Sequence, residues 1–197
     1  MGLFLNEDVG KRQDEKEFVW IVEIPDITKF LDELKVSDSS SLMEQWELKT
    51  VHGSPGKNGT VRVRAIDNKE FILGTKVYGD ITKETEIKVT KDVFDDFKSL
   101  APMGSIKKRF NFPIRGTSLK WEIDVYYDQS KRPVNWAKID LEVPNSYKES
   151  DVPPFPISVG EVIPRQRDSR QEKLSTKIFK ELFTVYNSDN ILPLEQR

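Results

Sequence analysis

Between residues 43 and 144, apolar and polar positions alternate with a period of two, in short runs broken by turn residues. A period of two places successive side chains on opposite faces, the mark of a β-strand. The runs lie at 43–52, 60–66, 70–78, 83–90, 105–113, 118–127 and 134–143, and a β-branched, aromatic run from Glu17 to Ile24 adds an eighth. Gly53 to Gly59 reads as a loop, and Asp67-Asn68 and Gly79-Asp80 read as hairpin turns. Helical spacing replaces the alternation at Ile27, Phe30, Leu31 and Leu34, following Pro25-Asp26. It recurs at Val93, Phe94, Phe97 and Leu100 within Lys91 to Leu100, and at Leu174, Ile178, Leu182 and Phe183 within Asp168 to Tyr186. Ser37 to Ser41 is a polar loop, Val152 to Pro156 a proline-rich crossing, residues 1–16 a loose leader and 188–197 a tail, leaving a single domain over 17–187.

Eight strands of similar length with two or three helices predict an α+β fold. A closed eight-stranded antiparallel β-barrel, a tunnel with flanking helices, removes the edge strands that an open sheet would expose.

Charge is not scattered over these strands. Arg62 and Arg64 share a face against Val61, Val63 and Ala65; Glu84, Glu86 and Lys88 stand against Thr85, Ile87 and Val89. Lys107, Arg109 and Asn111 alternate with Lys108, Phe110 and Phe112, and Lys120, Glu122 and Asp124 with Leu119, Trp121, Ile123 and Val125. Lys138, Asp140 and Glu142 oppose Ala137, Ile139, Leu141 and Val143, while Gln45, Glu47 and Lys49 oppose Trp46 and Leu48. Any one such strand is explained by a sheet with a wet face. As a set, the apolar faces have helices to pack against, so the charged faces would converge inside the barrel. A lumen of that kind suits a polyanion held by Arg and Lys and a hard divalent cation held by carboxylates.

Composition narrows the chemistry. The chain has 31 basic and 33 acidic residues and a net charge of −2, which gives no long-range attraction to DNA or an anionic membrane. It contains no cysteine, excluding disulfides, thiolate nucleophiles and Cys-ligated metals, and favouring a cytoplasmic location. No apolar run approaches the ~20 residues of a membrane span, and Met1 to Asn6 lacks the features of a signal peptide. His52 is the only histidine, which leaves no histidine-based nucleophile or zinc site. The 53–59 loop lacks the Gly-Lys-Ser/Thr ending of a phosphate-binding loop. Trp136 falls on the charged face by parity, where it packs at a barrel rim or stacks on a base.

The ordered series Arg62-Val63-Arg64, Thr75-Lys76, Glu84-Thr85-Glu86, Lys107-Lys108-Arg109-Phe110, Trp121-Glu122-Ile123-Asp124-Val125 and Asp140-Leu141-Glu142-Val143-Pro144 resembles the CYTH family, the triphosphate tunnel metalloenzymes. Pro154 and Gly160-Glu161-Val162 extend the resemblance, which spans residues 17–175. It implies an eight-stranded tunnel that hydrolyses or cyclises triphosphates with Mg or Mn. Carried over, it makes Arg62, Arg64, Lys76, Lys107, Arg109 and Lys49 phosphate-binding, gives Asp140, Glu142 and Glu47 to the metal, and makes Glu84, Glu86 and Asp124 catalytic. The chain departs from the family's E-x-E-x-K strand: Glu17-Phe18-Val19-Trp20-Ile21 keeps only the first acid, and Gln45-Trp46-Glu47-Leu48-Lys49 is a possible substitute. The expectation is a metal-dependent triphosphatase acting on inorganic triphosphate, a nucleoside triphosphate or an RNA 5′ end. The alternatives are an inactive module that binds nucleotide or polyphosphate and, third, an adenylate cyclase.

Overall fold

Each alternating run forms a strand because alternation lets one face be buried while the backbone hydrogen bonds are met by neighbouring strands. The computed structural model describes residues 12–52, 58–78, 82–101, 103–128, 130–159 and 162–164. In chain order these form β1 (Arg12–Glu23), α1 (Ile27–Leu34), β2 (Ser39–His52), β3 (Asn58–Ile66), β4 (Glu70–Tyr78), β5 (Thr82–Val89), α2 (Lys91–Leu100), β6 (Met103–Pro113), β7 (Lys120–Tyr127), β8 (Pro133–Val143) and a short β9 (Val162–Pro164). A single 3-10 turn covers Glu149–Asp151. The expected strands and the first two helices are present. The expected helix over 168–186 and the turn at Gly79-Asp80 fall outside the described residues.

One antiparallel sheet runs in the order β5-β4-β3-β2-β6-β7-β8-β1-β9. The strand β1 has two partners in succession. Its first residues, 12–15, lie opposite β5, and residues 16–23 lie opposite β8. The eight long strands thus form one antiparallel sheet, in which β1 pairs along most of its length with β8 and at its first residues with β5.

Two strands start well ahead of the sequence reading, while the other boundaries move by one or two residues. β1 starts at Arg12, ahead of the expected Glu17, inside what reads as leader. Arg12, Gln13, Asp14 and Glu15 show no apolar alternation, and their strand comes from backbone pairing with β5. β2 starts at Ser39, within the expected polar loop, where Ser39, Ser40 and Ser41 pair with Asn111, Phe110 and Arg109. Tertiary pairing overrides weak local propensity in both places.

The turn between β3 and β4 is legible in detail. Asp67 and Asn68 both adopt positive φ, 50° and 52°, the geometry of a tight hairpin that Asp and Asn tolerate. The Asp67 carboxylate also accepts the Leu42 amide, tying the turn to β2.

Apolar side chains collect on the face away from the charges. Val22, Phe110, Phe112, Trp121, Ile123, Val125, Ile139 and Leu141 form the main core, covered by Phe30 and Leu34 of α1. Asp26 caps α1 by accepting the Lys29 amide. The segment after β8 covers the same face, where Phe155 packs edge-on against Trp20 with ring centroids 5.5 Å apart. A second core of Val63, Ala65 and Phe94 lies beneath α2. With the apolar face roofed by helices, the opposite face carries the charges. Among the described residues no helix is long and apolar enough to cross a membrane.

Candidate functional site

Residues directly opposite one another in an antiparallel pair share a face. The register aligns Arg109 with Asp124, Asp124 with Lys138 and Glu122 with Asp140, so three adjacent strands present one continuous charged surface. On it Asp124 is fully buried and Asp140, Glu122 and Lys107 are 2%, 4% and 5% exposed. Ionic groups so deeply buried need partners, or the desolvation cost is not recovered.

Asp124 has them. Arg109 donates through Nε to Oδ1 at 2.7 Å and through Nη2 to Oδ2 at 2.9 Å, and Lys107 donates to Oδ2. Burial opposes ionisation, but Lys107 and Arg109 outweigh it and hold the Asp124 carboxyl well below the usual carboxylate range. Glu122 accepts from Arg109 and, at 2.6 Å, pairs with Lys120. Against burial, these cations also hold Glu122 low. Lys138 donates to Asp140 Oδ2 at 2.6 Å, and Arg109 Nη2 approaches the same oxygen at 3.7 Å. Burial, together with the charge of Asp124, pushes the Asp140 carboxyl up.

A second cluster joins β3, β4, β5 and β1. Arg62 donates to Glu84 and, at 3.4 Å, to Glu86; Lys76 lies 3.2 Å from Glu17 and 3.5 Å from Glu84. Arg64 reaches Glu86 at 3.5 Å. Burial lowers Arg64 to about 10, and the positive charges of Arg62 and Arg109 add to the effect. Burial takes Lys107 further, to about 7, despite Asp124. Cations are crowded here. The Nε groups of Arg62 and Arg64 and the indole Nε1 of Trp136 are buried with no acceptor, so three N–H donors await one.

The structure thus gathers Lys107, Arg109 and Asp124 with Asp140, and Arg62, Arg64 and Lys76 with Glu84 and Glu86. It places Glu47 with the second cluster, directly opposite Arg62, where burial raises its carboxyl while Arg62 opposes the shift. Glu142 is exposed and faces Glu17 across the β1–β8 pair. A register shift falls between Glu47 and Lys49, leaving Lys49 opposite Val61 in the backbone pairing. The strand Glu17-Phe18-Val19-Trp20-Ile21 sets Val19 opposite Asp140 and Ile21 opposite Lys138.

Four residues that had no assigned role join the site: Glu17, Glu122, Lys138 and Tyr126. Glu122 and Lys138 were detectable by parity, since each lies two positions from Asp124 or Asp140. Tyr126 stacks on Trp136 with centroids 4.5 Å apart, and Ile21 completes that apolar corner. Alternation puts Tyr126 on the charged face with Glu122 and Asp124, as it does Trp136 with Lys138 and Asp140, but gives an aromatic residue there no role.

The acidic residues offer a test for a divalent metal. Among the described residues no three Asp, Glu or His side chains stand together in a way that would hold a metal ion. Ca²⁺ takes about 6–8 oxygen ligands and Mg²⁺ is octahedral, whereas the carboxylates at Asp124, Glu122 and Asp140 already accept from Lys or Arg. One buried oxygen, Asp140 Oδ1, has no partner. A single free oxygen beside an ammonium is not a donor set for such an ion.

No protein family and no curated protein matches the sequence. Solved structures do resemble the fold. The chain is similar to an inorganic triphosphatase at 16% identity and a TM-score of 0.46, over 86% of this chain and 95% of that one. A protein from Pyrococcus horikoshii matches at 15% identity and 0.46, over 85% and 90%. A Bacillus halodurans protein provisionally assigned as an adenylate cyclase matches at 12% identity and 0.48, over 93% and 97%. Identities this low, with TM-scores below one half, leave the activity to be argued from the residues of the site.

Proposed function

We propose that the charged face lines a tunnel and binds a triphosphate, whether inorganic, nucleoside or at an RNA 5′ end, with Arg62, Arg64, Lys76, Lys107, Arg109 and Lys49 as its grips. The observation that carries this reading is the pair of buried arginine Nε donors on Arg62 and Arg64 that lack acceptors. Guanidinium groups keep their charge when buried and match phosphate oxygens two at a time. Three phosphates carry enough acceptors to satisfy these donors and enough charge to relieve the crowding around Arg64. Support for a tunnel comes from β1, which pairs with both β5 and β8.

Hydrolysis is the second reading, favoured by the unpartnered Asp140 Oδ1. In it Glu84, Glu86 and Asp124 orient water and cations, and Mg or Mn is assigned to Asp140, Glu142 and Glu47. The described donor set does not assemble that metal site, so no step is drawn through it. Calorimetric titration with inorganic triphosphate, run beside phosphate release from triphosphate and ATP in Mg, Mn or chelator, separates the two. Stoichiometric binding lost in Arg64→Met, without phosphate release, fits a binding module. Release abolished by Asp140→Asn fits hydrolysis, and neither binding nor release refutes both.

A further inference from the structure

The surroundings of Asp140 are those of a carboxylate already supplied with its cation. Lys138, two residues away on the same face of β8, donates to Oδ2 at 2.6 Å. Across the pairing with β1, the residue opposite Asp140 is Val19 and the one opposite Lys138 is Ile21. Across the pairing with β7, the opposite residues are Glu122 and Asp124, both engaged by Arg109. Glu17, the nearest acid on β1, lies 3.2 Å from Lys76.

A divalent ion entering here would have to displace lysine and arginine from buried carboxylates, and would meet Val19 and Ile21 opposite Asp140 and Lys138, with Glu17 engaged by Lys76 and Glu142 at the exposed end of the face. Each displaced ammonium would be left buried beside other cations, an arrangement whose cost exceeds that of leaving the pairs intact.

We propose that Lys138 is a resident counter-cation for Asp140 and that anion binding on this face needs no divalent metal. The second half rests on the triphosphate reading given above; the first does not. Lys138 is a positioning residue: it holds the Asp140 carboxylate and shields an incoming phosphate from its charge.

The test uses the full-length protein and Mn²⁺ alone, followed by spin resonance and calorimetry, then inorganic triphosphate with either Mn²⁺ or chelator. Wild type and Lys138→Arg should bind no stoichiometric Mn²⁺. Val19→Glu, which adds a carboxylate opposite Asp140, and the double change with Lys138→Met should gain Mn²⁺ affinity by about 10-fold or more. Val19→Glu retains Lys138, so a fold lost in the double variant does not remove the test. Triphosphate affinity of wild type should be the same with Mn²⁺ and with chelator. One equivalent of Mn²⁺ bound by wild type and lost in Asp140→Asn would overturn the proposal, as would triphosphate binding that appears only with Mn²⁺. Failure of triphosphate to bind under either condition refutes the triphosphate reading, while the Mn²⁺ titration of the free protein still decides the role of Lys138.

Discussion

Arg109 holds Asp124 by two parallel hydrogen bonds, Nε to Oδ1 at 2.7 Å and Nη2 to Oδ2 at 2.9 Å, at a carboxylate with no solvent exposure. The pair joins β6 to β7 at directly opposed positions and places the guanidinium where Glu122 and Asp140 also meet it. Removing one member of a buried pair leaves the other charge uncompensated. Arg109→Met should therefore destabilise the protein by about 3–5 kcal/mol. Urea unfolding measures this; a loss below about 1 kcal/mol, the size of an exposed pair, would show that the bidentate pair is not structural.

Arg64 should behave in the opposite way. Its closest carboxylate contact is at 3.5 Å, and burial and neighbouring cations lower its charge affinity to about 10. Arg64→Met should leave the melting temperature unchanged or raise it, while triphosphate affinity falls by a factor of about 10 or more, the size of a lost charge-assisted hydrogen bond. Calorimetry beside a thermal melt gives both values. A fall in stability with affinity intact would contradict the assignment.

Lys107 sets a pH dependence. Burial lowers it to about 7 from an ordinary 10.5, so the fold favours its neutral form. The sign for stability follows: this contribution is fully present above pH 10.5 and is lost as pH falls through about 7. The sign for anion binding is reversed, because only the ammonium grips phosphate and its share grows as pH falls through about 7. Relative to Lys107→Arg, which keeps its charge throughout, wild-type affinity for triphosphate should decline between pH 6 and pH 8, a window of about one unit on each side of that value. Comparing the two proteins cancels the titration of the ligand. Parallel profiles would show that Lys107 does not titrate in this range.

Gly104 tests the packing beneath α2. It pairs with Trp46, and a Cβ added there would come within 2.5 Å of the indole ring. The ring is not free to retreat, since Lys98 lies over it at 5.1 Å and its Nε1 donates to Glu44. Gly104→Ala should cost about 1–3 kcal/mol, as overpacking does. Chemical denaturation measures it, and a neutral result would mean that the indole moves with little resistance.

The sequence by itself determined the strands, two helices and the identity of the charged face. Alternation is a local property: Glu122 and Asp124, or Arg62 and Arg64, must share a face wherever their strand lies. Turn chemistry is local too, and Asp67-Asn68 adopts the left-handed backbone its residue types permit. What only the tertiary structure decided is which strands are neighbours, and with what offset. The pairing of β1 with β8 set Val19 beside Asp140 and Ile21 beside Lys138, a relation between residues more than a hundred positions apart that no local pattern encodes. The β2–β3 register shifts by one residue after Glu47, an offset that no residue pattern there announces. Ahead of that shift, the pairing of β2 with β3 put Glu47 opposite Arg62. Periodicity tells which side of a strand a charge occupies, whereas the partner that neutralises it depends on register. Register is fixed by backbone hydrogen bonds and core packing summed over the whole sheet.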